Sequence, residues 1–127
     1  MDSSQAFKGL LDTDLVRQFQ NEPHYIKILD VMEKLVNYSS NLFARCFKSI
    51  EKDDLAASIV LLNFRNMIEL ADAIHILARE CSVSPASILL RSLFESLLNV
   101  EYILQDDEHY KARAMGYLLS QESMISK

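Results

Sequence analysis

Residues 84–105 have the sequence SPASILLRSLFESLLNVEYILQ, an uninterrupted helical pattern that opens with a serine and a proline. Ser84 suits the N-cap and Pro85 the first helical position, because the N–H that proline lacks would have no partner there. At 100° per residue one apolar stripe is formed by Leu89, Leu93, Leu97, Val100 and Leu104. The pattern predicts a long helix from Pro85 to about Gln105.

The side of this helix opposite the stripe lacks the composition of a solvated face. Its apolar members are Ile88, Phe94, Leu98 and Tyr102. Arg91 and Glu95 lie one turn apart between them, and Asn99 lies one turn further along. A helix that is apolar nearly all round is usually buried between neighbours or covers a subunit interface, and charged groups in such a place must pair.

Two interpretations of these polar residues remain open. In the first, Arg91 and Glu95 form a structural ion pair that fixes the register of the helix. In the second, Arg91, Glu95, Asn99 and Tyr102 line a polar pocket for an anionic ligand, with the guanidinium of Arg91 as the forked donor. Arg113 is added to this candidate polar site.

Two other long helices are predicted before this one. Residues 25–50 carry apolar side chains at the spacing of a single helical stripe, with a polar opposite face. Asp53 and Asp54 then supply an N-cap for a second helix that extends to about Cys81. Asn63 lies within the apolar stripe of that helix, and since a buried amide needs partners, we expect it to bond to a neighbouring helix.

The two ends of the chain are less regular. Residues 106–118 predict a fourth, shorter helix that contains Gly116. Residues 1–20 form either a short helix or a loose arm, and residues 21–127 form the bundle domain. Short connections favour antiparallel neighbours. The predicted fold is therefore all-α: an up-and-down bundle of about four helices, three of them long.

The composition of the chain limits its class. It has 127 residues, enough for one domain, and 50% of them are hydrophobic with two glycines and two prolines, too few for a β-rich fold. The apolar stretch at residues 55–62 is far shorter than the roughly 20 residues that span a bilayer, and the N-terminus lacks the pattern of a secretory signal. We expect a cytoplasmic protein with no membrane partner. The net charge of -5 disfavours binding nucleic acid through the overall field.

Motifs for metal or covalent chemistry are sparse. Di-metal helical bundles use a Glu-x-x-His unit from each of two helices, whereas Asp72 and His75 approximate one such unit and nothing supplies the second. Cys46 and Cys81 lack the spacing of a metal or redox pair, and we expect them to pack as free thiols in the core. The sequence predicts neither a metal nor another cofactor.

Several segments resemble the bacterial domain-of-unknown-function family 5677. They are residues 87–99 (SILLRSLFESLLN), Tyr102 with Ile103, Ala112-Arg113-Ala114 and Tyr117. The resemblance covers residues 55–117, and its most specific part is Arg91 and Glu95 on a helix that begins with a small residue or proline. It implies a helical bundle of unassigned activity that is broadly similar to HEPN-type domains, many of which are ribonucleases or nucleotide-binding partners in toxin and phage-defence systems.

The leading functional hypothesis is a HEPN-like helical module, without demonstrated catalysis, that self-associates as a homodimer through the second and third long helices. Its basis is an apolar content too large for a small bundle to hide. The alternative is a ribonuclease or nucleotide-processing enzyme of a toxin or phage-defence type. Its partner would be a nucleotide or RNA, bound by Arg91, Glu95, Tyr102 and Arg113.

Overall fold

The computed structural model describes residues 13–125, and in that range all regular secondary structure is helical. The helices are α1 (Thr13–Gln20), α2 (Pro23–Ser49), α3 (Leu55–Arg79), α4 (Val83–Leu104) and α5 (Tyr110–Ile125). The all-α class and the three long helices, α2, α3 and α4, are confirmed. Five helices are described where about four were predicted, because α1 is a helix of its own. Residues 1–12 of the predicted arm lie outside the described range.

Helix α3 is central. It packs against α2 on one side and against α4 on the other, while α5 packs against both α3 and α4. The buried cluster where α3, α4 and α5 meet consists of Ala56, Ile59, Ile103 and Ala114. Ile103 is the largest of the fully buried side chains that the structure describes, with 1% exposure. The core is thus concentrated at the end of the layer where α5 lies.

The two ends of α3 are fixed by different local interactions. At its start, the Asp54 carboxylate accepts a hydrogen bond from the Ala57 N–H at 3.0 Å, which confirms the predicted cap. At its end, the Ser82 N–H donates to the Leu77 carbonyl at 2.8 Å and the Cys81 N–H to the Ala78 carbonyl at 3.0 Å. This pair of bonds is a Schellman motif, and Cys81 occupies its left-handed position with φ 57°.

Cys81 therefore lies in the turn after α3, not within the helix as predicted. Its half-buried sulfur is 3.7 Å from the Tyr25 hydroxyl oxygen and 3.9 Å from the Val16 carbonyl oxygen. Burial, reinforced by the bond with this thiol, raises the pKa of Tyr25 to about 12. The Gln20 amide donates to the Arg79 carbonyl at 2.7 Å, so α1 is attached to the C-terminal end of α3.

Helix α4 begins two residues earlier than predicted. Its N-cap is Ser82 instead of Ser84, and Pro85 is the third residue of the helix instead of the first. The proline is tolerated there because the N–H groups of the whole first turn lack partners within the helix. The Ser82 side chain makes no capping hydrogen bond, so the preceding Schellman turn is what orients the start of α4.

The buried stripe of α4 is rotated relative to the predicted one. Leu89, Leu93 and Val100 are half-buried as expected, but Leu97 is 44% and Leu104 52% exposed, and Ile103 lies in the core instead. The rotation is about half of the 100° step between successive residues. It follows from α5, which packs on the side of α4 that carries Ile103.

Helix α2 has two apolar stripes where the sequence predicted one. Leu29, Met32, Val36, Phe43 and Cys46 are half-buried, at the spacing of one stripe. The second stripe is exposed and consists of Ile28, Val31, Leu35, Tyr38 and Leu42. No residue of α2 is fully buried, because its long-helix neighbour is α3 alone. The polar opposite face is exposed as predicted, but part of the predicted apolar stripe, including Ile28, Leu35 and Leu42, is exposed as well.

Replacing Ile103 with alanine tests whether the core lies where α5 meets α4. We expect Ile103→Ala to lower the free energy of unfolding by about 2–5 kcal/mol, because it opens a cavity in a fully packed cluster. Leu104→Ala, at a site of 52% exposure, should cost below about 1 kcal/mol. Urea unfolding followed by circular dichroism measures both. Equal losses for the two variants would contradict the observed rotation of α4.

Candidate functional site

The second apolar side of α4 predicted from the sequence is present, and in the single chain it is open to solvent. We call it the outer face of α4 and define it as Ser84, Ile88, Arg91, Phe94, Glu95, Leu98 and Tyr102. Ile88 is 68% exposed, Phe94 58% and Tyr102 56%. Because α3 and α5 pack on the inner side of α4, these side chains remain largely open to solvent, although Arg113 of α5 lies over the Tyr102 ring. Large exposed apolar surface marks interaction sites, and here it is crossed by the charged residues Arg91 and Glu95.

Arg91 and Glu95 pair with each other, as one of the two interpretations requires. The Arg91 Nε atom is 3.4 Å from the Glu95 Oε1 atom, one helical turn away. Their side chains are 84% and 62% exposed, so the expected removal from water is not found in the single chain. An exposed pair of this type contributes little to stability, since water screens the attraction. Within one chain, the pair therefore does not fix the register of α4.

The five predicted site residues do not form one pocket. Asn99, Tyr102 and Arg113 border a cavity of about 500 Å³ between α4 and α5, and Arg91 and Glu95 are not among its lining residues. The Arg113 guanidinium lies over the Tyr102 ring at 4.3 Å from the ring centroid, and its Nη1 donates to the Tyr102 carbonyl at 2.8 Å. This contact joins α5 to the C-terminal end of α4.

Three polar residues that the sequence reasoning missed also line this cavity: His109, Tyr117 and Ser120. The His109 Nδ1 atom is 2.6 Å from the Asp106 carboxylate, whose pKa is lowered by this bond. The signal for the pairing was the spacing of Asp106 and His109, three residues apart before a predicted helix. Arg113, His109 and Tyr117 all bond to other groups of the chain, so these polar groups of the cavity are already engaged.

Asn63 has the interhelical partner that the sequence predicted. It is buried, with 6% exposure, and its Oδ1 accepts a hydrogen bond from the Tyr117 hydroxyl of α5 at 2.8 Å. Its Nδ2 donates to the Ile59 carbonyl one turn earlier at 3.3 Å. A buried amide bonded on both of its ends specifies one alignment of the two helices. The prediction for Asn63 is confirmed.

Removing the Tyr117 hydroxyl tests this alignment. We expect Tyr117→Phe to lower the free energy of unfolding by about 1–2 kcal/mol, because the carbonyl of the buried Asn63 amide would lose its partner. Tyr38→Phe is the matched control, since Tyr38 is 66% exposed on α2 and should tolerate the change. Urea unfolding of both variants is the measurement. A loss for Tyr117→Phe no larger than that of the control would refute the role of this bond.

A second apolar surface lies on the layer that the three long helices α2, α3 and α4 form. A groove of about 210 Å³ runs between α2 and α4 over α3, lined by Leu35 of α2, Phe64 and Met67 of α3, and Leu93 and Leu97 of α4. It continues the exposed stripe of α2 at Leu35. The three long helices thus leave one side of their layer without a covering element among residues 13–125.

One group among the described residues has the composition and spacing to hold a metal ion. Asp106, Glu108 and His109 each offer one ligand atom, and these atoms lie within 4.8 Å of one another. The three residues belong to a single turn, and His109 is already paired with Asp106. Asp72 and His75, the approximate unit noted in the sequence, differ in exposure: His75 is buried and Asp72 is exposed.

The fold and the family relationship of this chain define its class. It is an all-helical module with a thin core, and no helix between residues 13 and 125 is long and apolar enough to cross a membrane. A family of unknown function, DUF5677, matches residues 57–124, which is more than half of the chain, and the protein belongs to this family. The family named from residues 55–117 is thereby confirmed, and the match runs from residue 57 to residue 124. No curated protein and no solved structure matches the chain.

Proposed function

We propose that this protein is a HEPN-like helical module that self-associates as a homodimer through the outer face of α4. The observation that carries the proposal is the exposure of four large apolar side chains on one side of a single helix. They are Ile88, Phe94, Leu98 and Tyr102. The HEPN-like class is retained from the family resemblance.

The thin core supports burial in an assembly. The buried apolar residues that the structure describes are Ala56, Ile59, Leu61, Ile103 and Ala114. Many large apolar side chains are instead exposed, among them Val31, Tyr38, Leu62 and Phe94. Covering this exposed apolar surface favours association, because removing apolar surface from water contributes a free energy of about 25 cal/mol per Å².

The proposal places the interface on α4, where the sequence had suggested α3 and α4 together. Helix α3 has neighbours on both sides, so less of it is available to a partner. Helix α2 also exposes an apolar stripe, but its charged pair, Asp30 and Lys34, lies outside that stripe and has the polar residues Lys27 and Asn37 on its flanks. Charged groups within an apolar interface select one partner and one orientation.

Catalysis is not part of this proposal. An enzyme of the ribonuclease or nucleotide-processing kind would need polar groups directed at a substrate. In the cavity between α4 and α5, Arg113 bonds to Tyr102, His109 bonds to Asp106 and Tyr117 bonds to Asn63. These contacts give the polar residues a structural role.

Introducing a charge on the outer face of α4 tests the proposal. We expect the wild-type protein to have the mass of a dimer at tens of micromolar, and Leu98→Asp to have that of a monomer, because a carboxylate in the interface would be buried without a partner. Light scattering after size-exclusion chromatography measures the mass. Leu119→Asp is the matched control, since Leu119 is an exposed leucine on α5.

A monomeric wild-type protein at these concentrations would overturn the proposal. So would a Leu98→Asp variant that remains dimeric to the same extent as Leu119→Asp. Circular dichroism of each variant shows whether the helices are retained, which separates loss of association from loss of folding.

A further inference from the structure

The outer face of α4 has a symmetry that the apolar content alone does not require. Six of its positions are separated alternately by four and three residues, the spacing of a two-stranded coiled-coil seam. They are Ser84, Ile88, Arg91, Glu95, Leu98 and Tyr102. The seam is symmetric about the position of Leu93. The charged residues Arg91 and Glu95 are each two residues from Leu93, the aliphatic residues Ile88 and Leu98 are each five away, and the hydroxyl-bearing Ser84 and Tyr102 are each nine away. The symmetric positions are complementary and not identical: Arg91 corresponds to Glu95, and Ser84 corresponds to Tyr102.

We infer that a second copy of this chain packs its own α4 antiparallel on this seam, with a two-fold axis at the level of Leu93. This inference rests on the proposed self-association and specifies its geometry. Arg91 then faces Glu95 of the second copy, and Glu95 faces the other Arg91. Ile88 faces Leu98 of the second copy. A two-fold interface requires such self-complementarity, because each contact occurs twice.

The charges decide the direction of packing. In a parallel pair, Arg91 would face Arg91 and Glu95 would face Glu95, and like charges placed together in an interface are costly. In the antiparallel pair, each charge has one partner in its own chain and one in the second copy. The result is a ring of four alternating charges that compensate one another as water is excluded.

The sizes of the side chains fit the same arrangement. Tyr102, over which Arg113 stacks, faces the small Ser84 of the second copy, which leaves room for the stacked pair. Phe94 lies one residue from the axis and faces its own copy. The exposed area of the four apolar residues on this face is on the order of 500 Å² per copy, so covering all of it would bury about 1,000 Å² in total, the smallest area expected of a specific interface.

Charge reversal tests the inference. In Arg91→Glu and in Glu95→Arg, each interchain pair becomes a pair of like charges, so the dissociation constant of each dimer should rise by about tenfold. A 1:1 mixture of the two variants should associate at least as well as the wild type, since every Glu then faces an Arg. The double variant should behave like the wild type. Sedimentation equilibrium measures all four samples.

The mixture is decisive because each variant keeps its like-charge pair within its own chain. Recovery in the mixture therefore reports on interchain contacts alone. Arg65 and Glu69 on α3 provide the matched control, because they form an exposed pair with the same spacing at 3.2 Å. Arg65→Glu and Glu69→Arg should leave the dissociation constant unchanged.

Cross-linking tests the antiparallel direction independently. In a background with Cys46→Ala and Cys81→Gly, Ile88→Cys mixed with Leu98→Cys should form a disulfide between the two chains. Neither variant should cross-link with itself, because the two copies of residue 88 lie about 15 Å apart along the helices. Self-cross-linking of Ile88→Cys would demonstrate parallel packing and overturn the inference.

The outcomes separate the inference from the proposed function. A monomeric wild type overturns both. A dimer that Leu98→Asp dissociates, but that charge reversal at Arg91 or Glu95 leaves unchanged, retains the interface and overturns the antiparallel register. Loss in the single variants with recovery in the mixture supports the inference.

Discussion

The packing of α3 between α2 and α4 determines what every other helix exposes. A helix with a neighbour on each side can bury apolar residues around much of its perimeter, and α3 contains most of the buried side chains that the structure describes. The flanking helices have only α3 as a long neighbour, so each buries one stripe and leaves another apolar stripe in water. Helical domains normally gain a core by packing two layers together. Here, α5 supplies the second layer over one end alone.

The polar contacts hold this incomplete bundle in one arrangement. The bond from Tyr117 to Asn63 aligns α5 with α3, and the contact of Arg113 with Tyr102 aligns α5 with α4. The first of these links is half-buried, where a hydrogen bond that is not made is expensive, whereas the second is exposed. They also explain why several polar residues lie beside the cavity between α4 and α5. Groups that would indicate a ligand site in a sequence are here the means by which one short helix is fixed to two long ones.

The sequence predicted the features that local chemistry determines. The Asp54 cap, the three long helices, the pairing of Arg91 with Glu95 and the interhelical bond of Asn63 all follow from spacing and from the need of polar groups for partners. Features set by neighbours were harder to predict. Periodicity alone does not separate Ile103 from Leu104, because the direction from which α5 approaches decides between adjacent positions.

The same limit applies to the candidate site. Nothing in the spacing of Arg91, Glu95, Asn99, Tyr102 and Arg113 shows that α5 packs only near the C-terminal end of α4, so that the last three border the cavity and the first two lie too far along the helix. Spacing also gave α2 one broad stripe, since a wide apolar band and two adjacent stripes have the same composition. Which part of such a band is covered depends on how many helices surround it.

An ion pair one turn apart on a helix is by itself an ordinary feature of a solvated surface, and two others in this chain show the contrast. Three residues before Arg65 is Leu62, and three residues after Glu69 is Asp72. Antiparallel packing of a second copy on this pair would therefore place the Asp72 carboxylate against Leu62. Around Asp30 and Lys34, the corresponding positions are Lys27 and Asn37, both polar. Only around Arg91 and Glu95, of these three pairs, do apolar residues occupy both flanks. In such a combination the apolar flanks supply the free energy of association. The charged pair fixes the relative direction of the two helices, because placing like charges together in the interface is costly.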